Sequence, residues 1–460
     1  MSCSKEKVQL EISGWAGDGC GAARLPDGKA VFVSRAMPGE KVLATVTKEK
    51  KSCAWARLEE LIQPAAGRVS PACPHYAGCG GCVLQHMDYQ TQLEYKRDQV
   101  AQALRGIGKL DVEVLPVLPA ESPWGYRNRV VFHVQQEPEL RFGLYQEKSR
   151  RLSPPDCPLL RQPLRELAEK LARFLPLHAS CLKGLRELAL RCDHSGDKLL
   201  LSFVADHPLK ALEALAAELA EEEPRLVSIW ENSGSPVYSV YGEDWRHLWG
   251  EEYLLDQLAG VELELSPAAF LQVNHGQAER LYAQVRRFLG ELRGKRLLDV
   301  YCGVGSIGLA FCGELGQLIG VESYAPSVAA AKRNAERNGF EDCRFFCGPA
   351  EQVLPELLKQ GLRVDKLVLD PPRAGCERAA LAAIADMVPE SLVYVSCDPA
   401  TLARDLAILV EGGYEVQAVQ PVDLFPQTSH VETVCLLSKL NAKQHIEINL
   451  DMDELDLTDA

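Results

Sequence analysis

From about residue 290 the chain alternates strand, turn and helix, and nothing else in the sequence constrains its fold as much. "KRLLDVYCGVGSIGLAF" reads as a strand, a glycine loop and a helix. "GQLIGVE" is a second strand, followed by the helix "APSVAAAKRNAERNG". "CRFFCG", "DKLVLDPPRAG" and "SLVYVSCDP" supply strands three to five. Such alternation predicts a parallel, doubly wound α/β sheet, with its site outside the carboxyl ends of the strands. The last two strands, "YEVQAVQPVDLFP" and "HVETVCLLSK", have no helix between them and should form an antiparallel hairpin.

The 460 residues exceed one ordinary core, so two or three domains are expected. Residues 7 to 62 carry short alternating runs broken by Gly, Pro26-Asp27-Gly28 and Pro38-Gly39, the pattern of a small β-barrel. Lys48, Lys50, Lys51 and Arg57 surround Trp55 there. Interleaved cations and an aromatic suit single-stranded nucleic acid, and a lysine-guarded strand edge explains them equally well. Residues 73 to 110 hold a cysteine cluster and then a helix. Further on, "YRNRVVFHVQ" and "LRFGLYQEKSRRLSP" read as adjacent strands carrying Arg127, Arg129, His133, Arg141, Lys148, Arg150 and Arg151. "LRELAEKLARFL" and "LKALEALAAELAEEEP" are amphipathic helices by period.

The formal charge of −14 argues against a protein that coats nucleic acid indiscriminately, and leaves room for a local basic groove. No run of eighteen apolar residues occurs, so no membrane span is expected, and the N-terminus lacks the apolar core of a secretory signal. The expected location is therefore cytoplasmic. Sixteen cysteines in a long chain of that kind point to thiols, metal ligands or catalysis before disulfides. The last twenty residues hold six acids and one lysine, a solvated tail to which no chemistry is assigned.

Gly303, Gly305 and Gly308 fit the nucleotide-loop template G-x-G-x-x-G after a strand. Glu322 ends the next strand, where an acid accepts hydrogen bonds from ribose hydroxyls. Two details favour S-adenosylmethionine over a dinucleotide. Asp299 precedes the loop, where it would meet an ammonium and repel a pyrophosphate. Asp370-Pro371-Pro372-Arg373 then ends the fourth strand in a rigid edge, as in nucleic-acid base methyltransferases. In the amino-group enzymes that turn ends in an aromatic, and Arg373 stands in its place.

That directs attention to Cys397, at the end of the fifth strand and before a helix opened by Asp398-Pro399. Carbon 5 of a pyrimidine is a poor nucleophile. A thiolate added to carbon 6 makes it enolate-like, and a base must later remove the carbon-5 proton. Cys397 fits the first role, and the helix start is expected to make the thiol more acidic. Glu432 in "SHVETVC" fits the second, with His430 as runner-up. Cys73, Cys79 and Cys82, wrapped by Gly80 and Gly81, with Cys157 as a distant fourth, suit a closed zinc site or a [4Fe–4S] cluster. His75 and His86 read as structural, and the remaining cysteines as free thiols.

With "CPHYAGCGGCVLQH", "YRNRV", "FLQVN", "LLDVYCGVGSIGL", "VLDPPRAG", "VYVSCDPATLARD" and "HVETV" in place, the chain resembles the RNA uracil-5 methyltransferases of bacterial ribosomal RNA. The likeness covers nearly the whole chain and is to the type with a TRAM barrel and an iron–sulfur cluster. It implies a Rossmann-like S-adenosylmethionine methyltransferase domain with an OB-like N-terminal barrel and a central α/β domain. The boundaries are then 1–63 for the barrel, 64–260 for the central domain, 261–441 for the methyltransferase domain and 442–460 for the tail. By that resemblance Cys397 is the nucleophile and Glu432 the base. Gln272, Tyr301, Ser306, Glu322 and Asp370 contact the methyl donor, and Cys73, Cys79, Cys82 and Cys157 hold a [4Fe–4S] cluster. The implied partner is 23S ribosomal RNA, with transfer RNA as the alternative, acted on by a monomer, with Arg127, Arg129 and the barrel lysines on phosphates. Ser306 and Pro349 depart from relatives, where Asn is common at the first position and a side-chain amide meets adenine at the second. Two other readings stand beside it: a cytosine-5 methyltransferase, and a non-catalytic RNA-binding assembly factor, against which an intact Cys397, Glu432 and glycine loop argue.

Overall fold

The computed structural model describes residues 7–234 and 240–439, so the acidic tail and Cys3 lie outside the described residues. The first six strands are β1 (Lys7–Glu11), β2 (Gly14–Trp15), β3 (Gly21–Arg24), β4 (Ala30–Ser34), β5 (Lys41–Glu49) and β6 (Cys53–Gln63). They form one sheet in the order β1-β5-β6-β4-β3-β2, antiparallel except for β4 with β6. Turn chemistry keeps them short: Gly28, at φ 88°, closes the Pro-Asp-Gly turn by donating to Leu25 O at 2.8 Å. Ser13 N donates to Ala22 O at 2.9 Å, which curls the sheet round its own core of Leu10, Val31, Val33, Val42 and Ala44.

Helix α1 (Tyr89–Ala103) follows the cysteine loop. A second sheet contains β7 (Arg129–Gln135), β8 (Arg141–Tyr145), β9 (Leu152–Ser153), β10 (Leu185–Cys192), β11 (Leu199–Ala205), β12 (Leu226–Ser233) and β13 (Asp244–Gly250). Its order is β13-β12-β11-β10-β7-β8-β9. Helices α2 (Gln162–Phe174) and α3 (Leu212–Glu222) pack their apolar stripes on one face, round Phe132, Leu171, Leu201 and Phe203.

A hairpin of β14 (Leu254–Leu258) and β15 (Val261–Leu265) leads through α4 (His275–Leu289) into the third sheet. That sheet is built from β16 (Arg296–Val300), β17 (Gln317–Glu322), β18 (Cys343–Cys347), β19 (Lys366–Leu369), β20 (Ser391–Ser396), β21 (Tyr414–Val422) and β22 (Glu432–Lys439). Helices α5 (Ser306–Leu309), α6 (Ala325–Arg337), α7 (Ala350–Lys359), α8 (Arg378–Met387) and α9 (Pro399–Glu411) connect them. The order is β18-β17-β16-β19-β20-β22-β21, parallel through β20 and antiparallel in the last two pairings, as the missing helix predicts. Both faces are covered. Leu298, Val300 and Leu367 belong to one core and Leu297, Val368 and Val393 to the other, which is why these strands are apolar throughout.

Three expectations change. The helix after the glycine loop is a single turn, because Gly308 must pack against Leu318 and Asp299 and the chain then tightens into i→i+3 bonds at Phe311 and Cys312. Residues 89–118, assigned by sequence to the central domain, pack with the third sheet. Val100, Leu104 and Val114 enter its core, and Leu115 and Leu118 donate to Val419 O and Pro421 O along β21. The boundary at 260 falls inside the β14–β15 hairpin, whose apolar side also faces the third sheet.

Candidate active site

Tyr301, Glu322, Asp370 and Cys397 lie at or just past the carboxyl ends of four parallel strands, β16, β17, β19 and β20. The strand order reverses direction between β16 and β19, and ligands of such sheets bind at that switch. The hairpin register brings in the fifth residue. Ser396 pairs with Thr433 across β20 and β22, so one step further sets Cys397 opposite Glu432.

Glu432 is 3% exposed, and burial, reinforced by the Asp370 carboxyl, pushes it up to about 8. Burial alone pushes Asp370 up to about 7. Cys397 is half-buried, and its thiol rises to about 11, first through burial and then through Glu432 and Asp370. The expected acidification by the helix start is therefore corrected. The Asp398 side chain caps α9 by accepting from Ala400 N at 2.9 Å and Thr401 N at 3.0 Å, so those N–H groups face a carboxylate and not the sulfur. The cation that pulls Cys397 down is Arg373, which also lowers Glu432. Its turn is tied to α9: Thr401 Oγ1 donates to Arg373 O, Arg404 Nη2 to Ala374 O, and Cys376 N to Asp405 Oδ2. Its guanidinium sits 3.3 Å from the His430 ring, which burial and Arg373 hold below the usual histidine range.

The glycine loop is built on left-handed backbone. Tyr301, Gly303 and Gly305 have φ of 66°, 54° and 86°. Strain at the non-glycine Tyr301 is offset by bonds from Tyr301 N and Cys302 N to Val321 O. Glu322 braces the loop through Gly303 N at 3.1 Å and accepts from Tyr324 N at 2.7 Å. Asp299 differs from expectation. It is wholly buried, accepts from Gly308 N at 2.9 Å, and is pushed up to about 8 by burial, so it is a brace beneath the loop and not a surface for an ammonium. Ser306 Oγ bonds the buried Tyr282 hydroxyl at 2.7 Å, a partner that spacing did not reveal.

Gln272 lies on a separate loop stitched in place by main-chain neighbours. Asn128 N donates to Val273 O at 2.9 Å, and Asn274 Nδ2 to Leu424 O at 3.0 Å. Asn274 also caps α4. The Gln272 side-chain amide makes no hydrogen bond among the described residues. The sequence signal for this loop was the motif "FLQVN", read through the family resemblance and not through spacing.

The cysteine loop adjoins this region. Val83 N and Leu84 N both donate to Gln427 O at 3.1 Å, and Gln427 exchanges bonds with the Gln92 amide of α1. Lys96 of α1 makes a fully buried pair with Asp423 at 2.5 Å and donates to Phe425 O. The segment leading into Glu432 thus hangs from the cysteine loop and its helix. Burial pushes Cys82 up to about 12, and Cys157, Cys79 and Cys73 each add to that rise, so the four thiols lie within electrostatic reach of one another. Gly81 N donates to Cys79 Sγ at 3.4 Å. Among the described residues no group of three or more His, Cys, Asp or Glu is arranged to hold a metal ion. His86, held near 3 by burial, bonds Tyr76 Oη, and His75 pairs with Asp156, as structural histidines do. Cys312 and Cys343, read as unrelated, lie 3.7 Å apart at sulfur.

A doubly wound sheet with this loop and strand-end acids defines an S-adenosylmethionine-dependent methyltransferase. The family described as tRNA (uracil-5-)-methyltransferase matches residues 257–440. An uncharacterised RNA methyltransferase of Halalkalibacterium halodurans is 38% identical, over 94% of this chain and 97% of its own. One from Clostridium tetani is 36% identical, over 95% and 97%. The crystal structure of Pyrococcus abyssi tRNA (uracil-54, C5)-methyltransferase with S-adenosyl-L-homocysteine is similar at TM-score 0.74 and 26% identity, over 93% of this chain and 99% of that one. The chain belongs to the RNA uracil-5 methyltransferase family. It is an S-adenosylmethionine-dependent enzyme that methylates uracil carbon 5 in RNA. No described helix is long and apolar enough to cross a membrane.

Proposed function

We propose that the target is a uridine of 23S ribosomal RNA, methylated through a covalent bond between Cys397 and carbon 6. The observation that carries the mechanism is the placement of Cys397 opposite Glu432. S-adenosylmethionine supplies the methyl group. The Cys397 thiol loses its proton to solvent under the influence of Arg373, and the sulfur adds to carbon 6 of a uridine turned out of its strand. Carbon 5 then takes the methyl group. Glu432, acting as the carboxylate after releasing its own proton, removes the carbon-5 proton, the sulfur–carbon bond breaks, and the electron pair returns to sulfur. Gln272, Tyr301, Ser306, Glu322 and Asp370 hold the methyl donor, and Pro349 leaves only main chain for adenine on its side. Carbon-5 methylation through a thiolate adduct serves cytosine as well, but the family match favours uracil.

The N-terminal sheet is read as the TRAM barrel. Lys48 and Lys50 lie 5.6 and 5.4 Å from the Trp55 ring, a surface suited to an RNA strand. Cys73, Cys79, Cys82 and Cys157 are read as the ligands of a [4Fe–4S] cluster. Four mutually interacting thiols and an N–H to sulfur bond support it. The cluster's part is to shape the loop that carries Gln427, and zinc is the competing occupant. A transfer-RNA target is the second reading, favoured by the Pyrococcus neighbour. Mass mapping of 5-methyluridines in ribosomal and transfer RNA decides. The reading expects one or more sites lost from 23S RNA in a strain lacking this chain, and loss confined to transfer RNA overturns it.

A further inference from the structure

One aromatic pair lies outside everything assigned so far. His133 on β7 and Tyr145 on β8 stack with ring centroids 3.9 Å apart and 15° between planes. The register explains the contact. His133 pairs with Gly143, which has no side chain, so the ring of Tyr145, two residues on and on the same face, reaches diagonally over the gap. Glu187 fixes the imidazole by meeting its Nδ1 at 3.3 Å. Tyr145 remains 42% exposed, one of the few large exposed aromatic surfaces of the described chain.

Its surroundings are cationic in a chain whose net charge is −14. Arg141 lies on the same face of β8, and Lys148, Arg150 and Arg151 occupy the turn just beyond Tyr145, all exposed. Lys148 is paired with Glu147, whereas Arg141, Arg150 and Arg151 have no carboxylate partner among the described residues. The place matters as well. β7 starts at Arg129, beside the loop that carries Gln272, and runs away from it. At strand rise His133 is about 13 Å from Arg129 along β7, and Tyr145 falls nearer, opposite Val131. An extended RNA strand leaving the active site over this face meets Tyr145 within a short span.

We infer that the outer face of Tyr145, backed by His133, is a stacking platform for an unpaired base of the RNA substrate, with Arg141, Arg150 and Arg151 on its flanking phosphates. This rests on the RNA-methylating reading above but not on which RNA is methylated. A stacked base contributes through its π-face and is indifferent to salt, whereas phosphate contacts are lost with salt.

The test is fluorescence anisotropy of the full chain with a dye-labelled single-stranded oligoadenylate, without turnover. Tyr145→Ala is expected to weaken binding roughly 5- to 150-fold, by the same factor at low and high salt. Tyr145→Phe should stay close to wild type, which separates stacking from a folding defect. Arg150→Gln with Arg151→Gln should lower the salt slope by about 1.4. With an RNA transcript substrate, Tyr145→Ala should raise KM for RNA and leave kcat and KM for S-adenosylmethionine unchanged. Unchanged affinity in Tyr145→Ala, or an equal loss in Tyr145→Phe, overturns the platform. Because binding is read apart from methylation, a wrong assignment of the methylated RNA leaves this result standing.

Discussion

The Glu432 carboxyl lies across from the Cys397 thiol, and it helps push that thiol up to about 11 while itself standing near 8. Near neutrality the free enzyme holds a thiol beside a largely protonated acid. The thiolate forms against three carboxyls and with the help of one cation.

Arg373 should therefore govern the pH profile. It lowers both Cys397 and Glu432, so Arg373→Ala moves both upward. Iodoacetamide labelling of Cys397 should rise with pH in the wild type, and the rise should shift to higher pH in the variant. A shift to lower pH would show that another group sets the thiol.

Stability should also depend on pH. Asp299, Asp370 and Glu432 are all raised in the folded state, to about 8, 7 and 8. Between the ordinary carboxylate range and these values the folded chain binds more protons than the unfolded one. Their contribution is full below the ordinary carboxylate range, declines as pH rises above it, and is gone once pH passes 7 to 8. The melting temperature should fall over that window, and Glu432→Gln with Asp370→Asn should flatten the fall.

The Lys96–Asp423 pair is wholly buried, so removing one partner strands a charge. Lys96→Met should cost about 3–5 kcal/mol. Lys96→Met with Asp423→Leu should recover much of that in a denaturant melt, since both charges go together. A milder single variant would show that water reaches the pair.

Much of this site was legible in the chain, for physical reasons. Parallel strands buried on both faces must be apolar throughout, so β16 to β20 stood out, and their ends carried Asp370 and Cys397. Gln272 was not legible from spacing, because its loop is fixed by a main-chain bond from Asn128 and a side-chain bond from Asn274 to Leu424 O, which leave no periodicity. The thiol's acidity was misread because a helix start was counted without the Asp398 carboxylate that occupies it. The packing of α1 was hidden because its sequence is mostly polar, and its few apolar positions, such as Val100, do not say which sheet receives them.

Cys82→Ala tests the role of the cysteine loop. Protein purified without oxygen should be brown and hold iron, and the variant should lose both. Its methylation rate should fall too, since Val83 and Leu84 would no longer hold Gln427 in place. Colourless wild type with stoichiometric zinc would reverse the assignment.

The most direct measurement is of the covalent adduct itself. RNA containing 5-fluorouridine has no carbon-5 proton for Glu432 to remove, so the chain should remain attached after methyl transfer. On a denaturing gel the wild type should shift with such RNA in the presence of S-adenosylmethionine, and Cys397→Ala should not. Glu432→Gln should form the same adduct with ordinary RNA. An adduct with Cys397→Ala, or normal turnover by that variant, would contradict the mechanism.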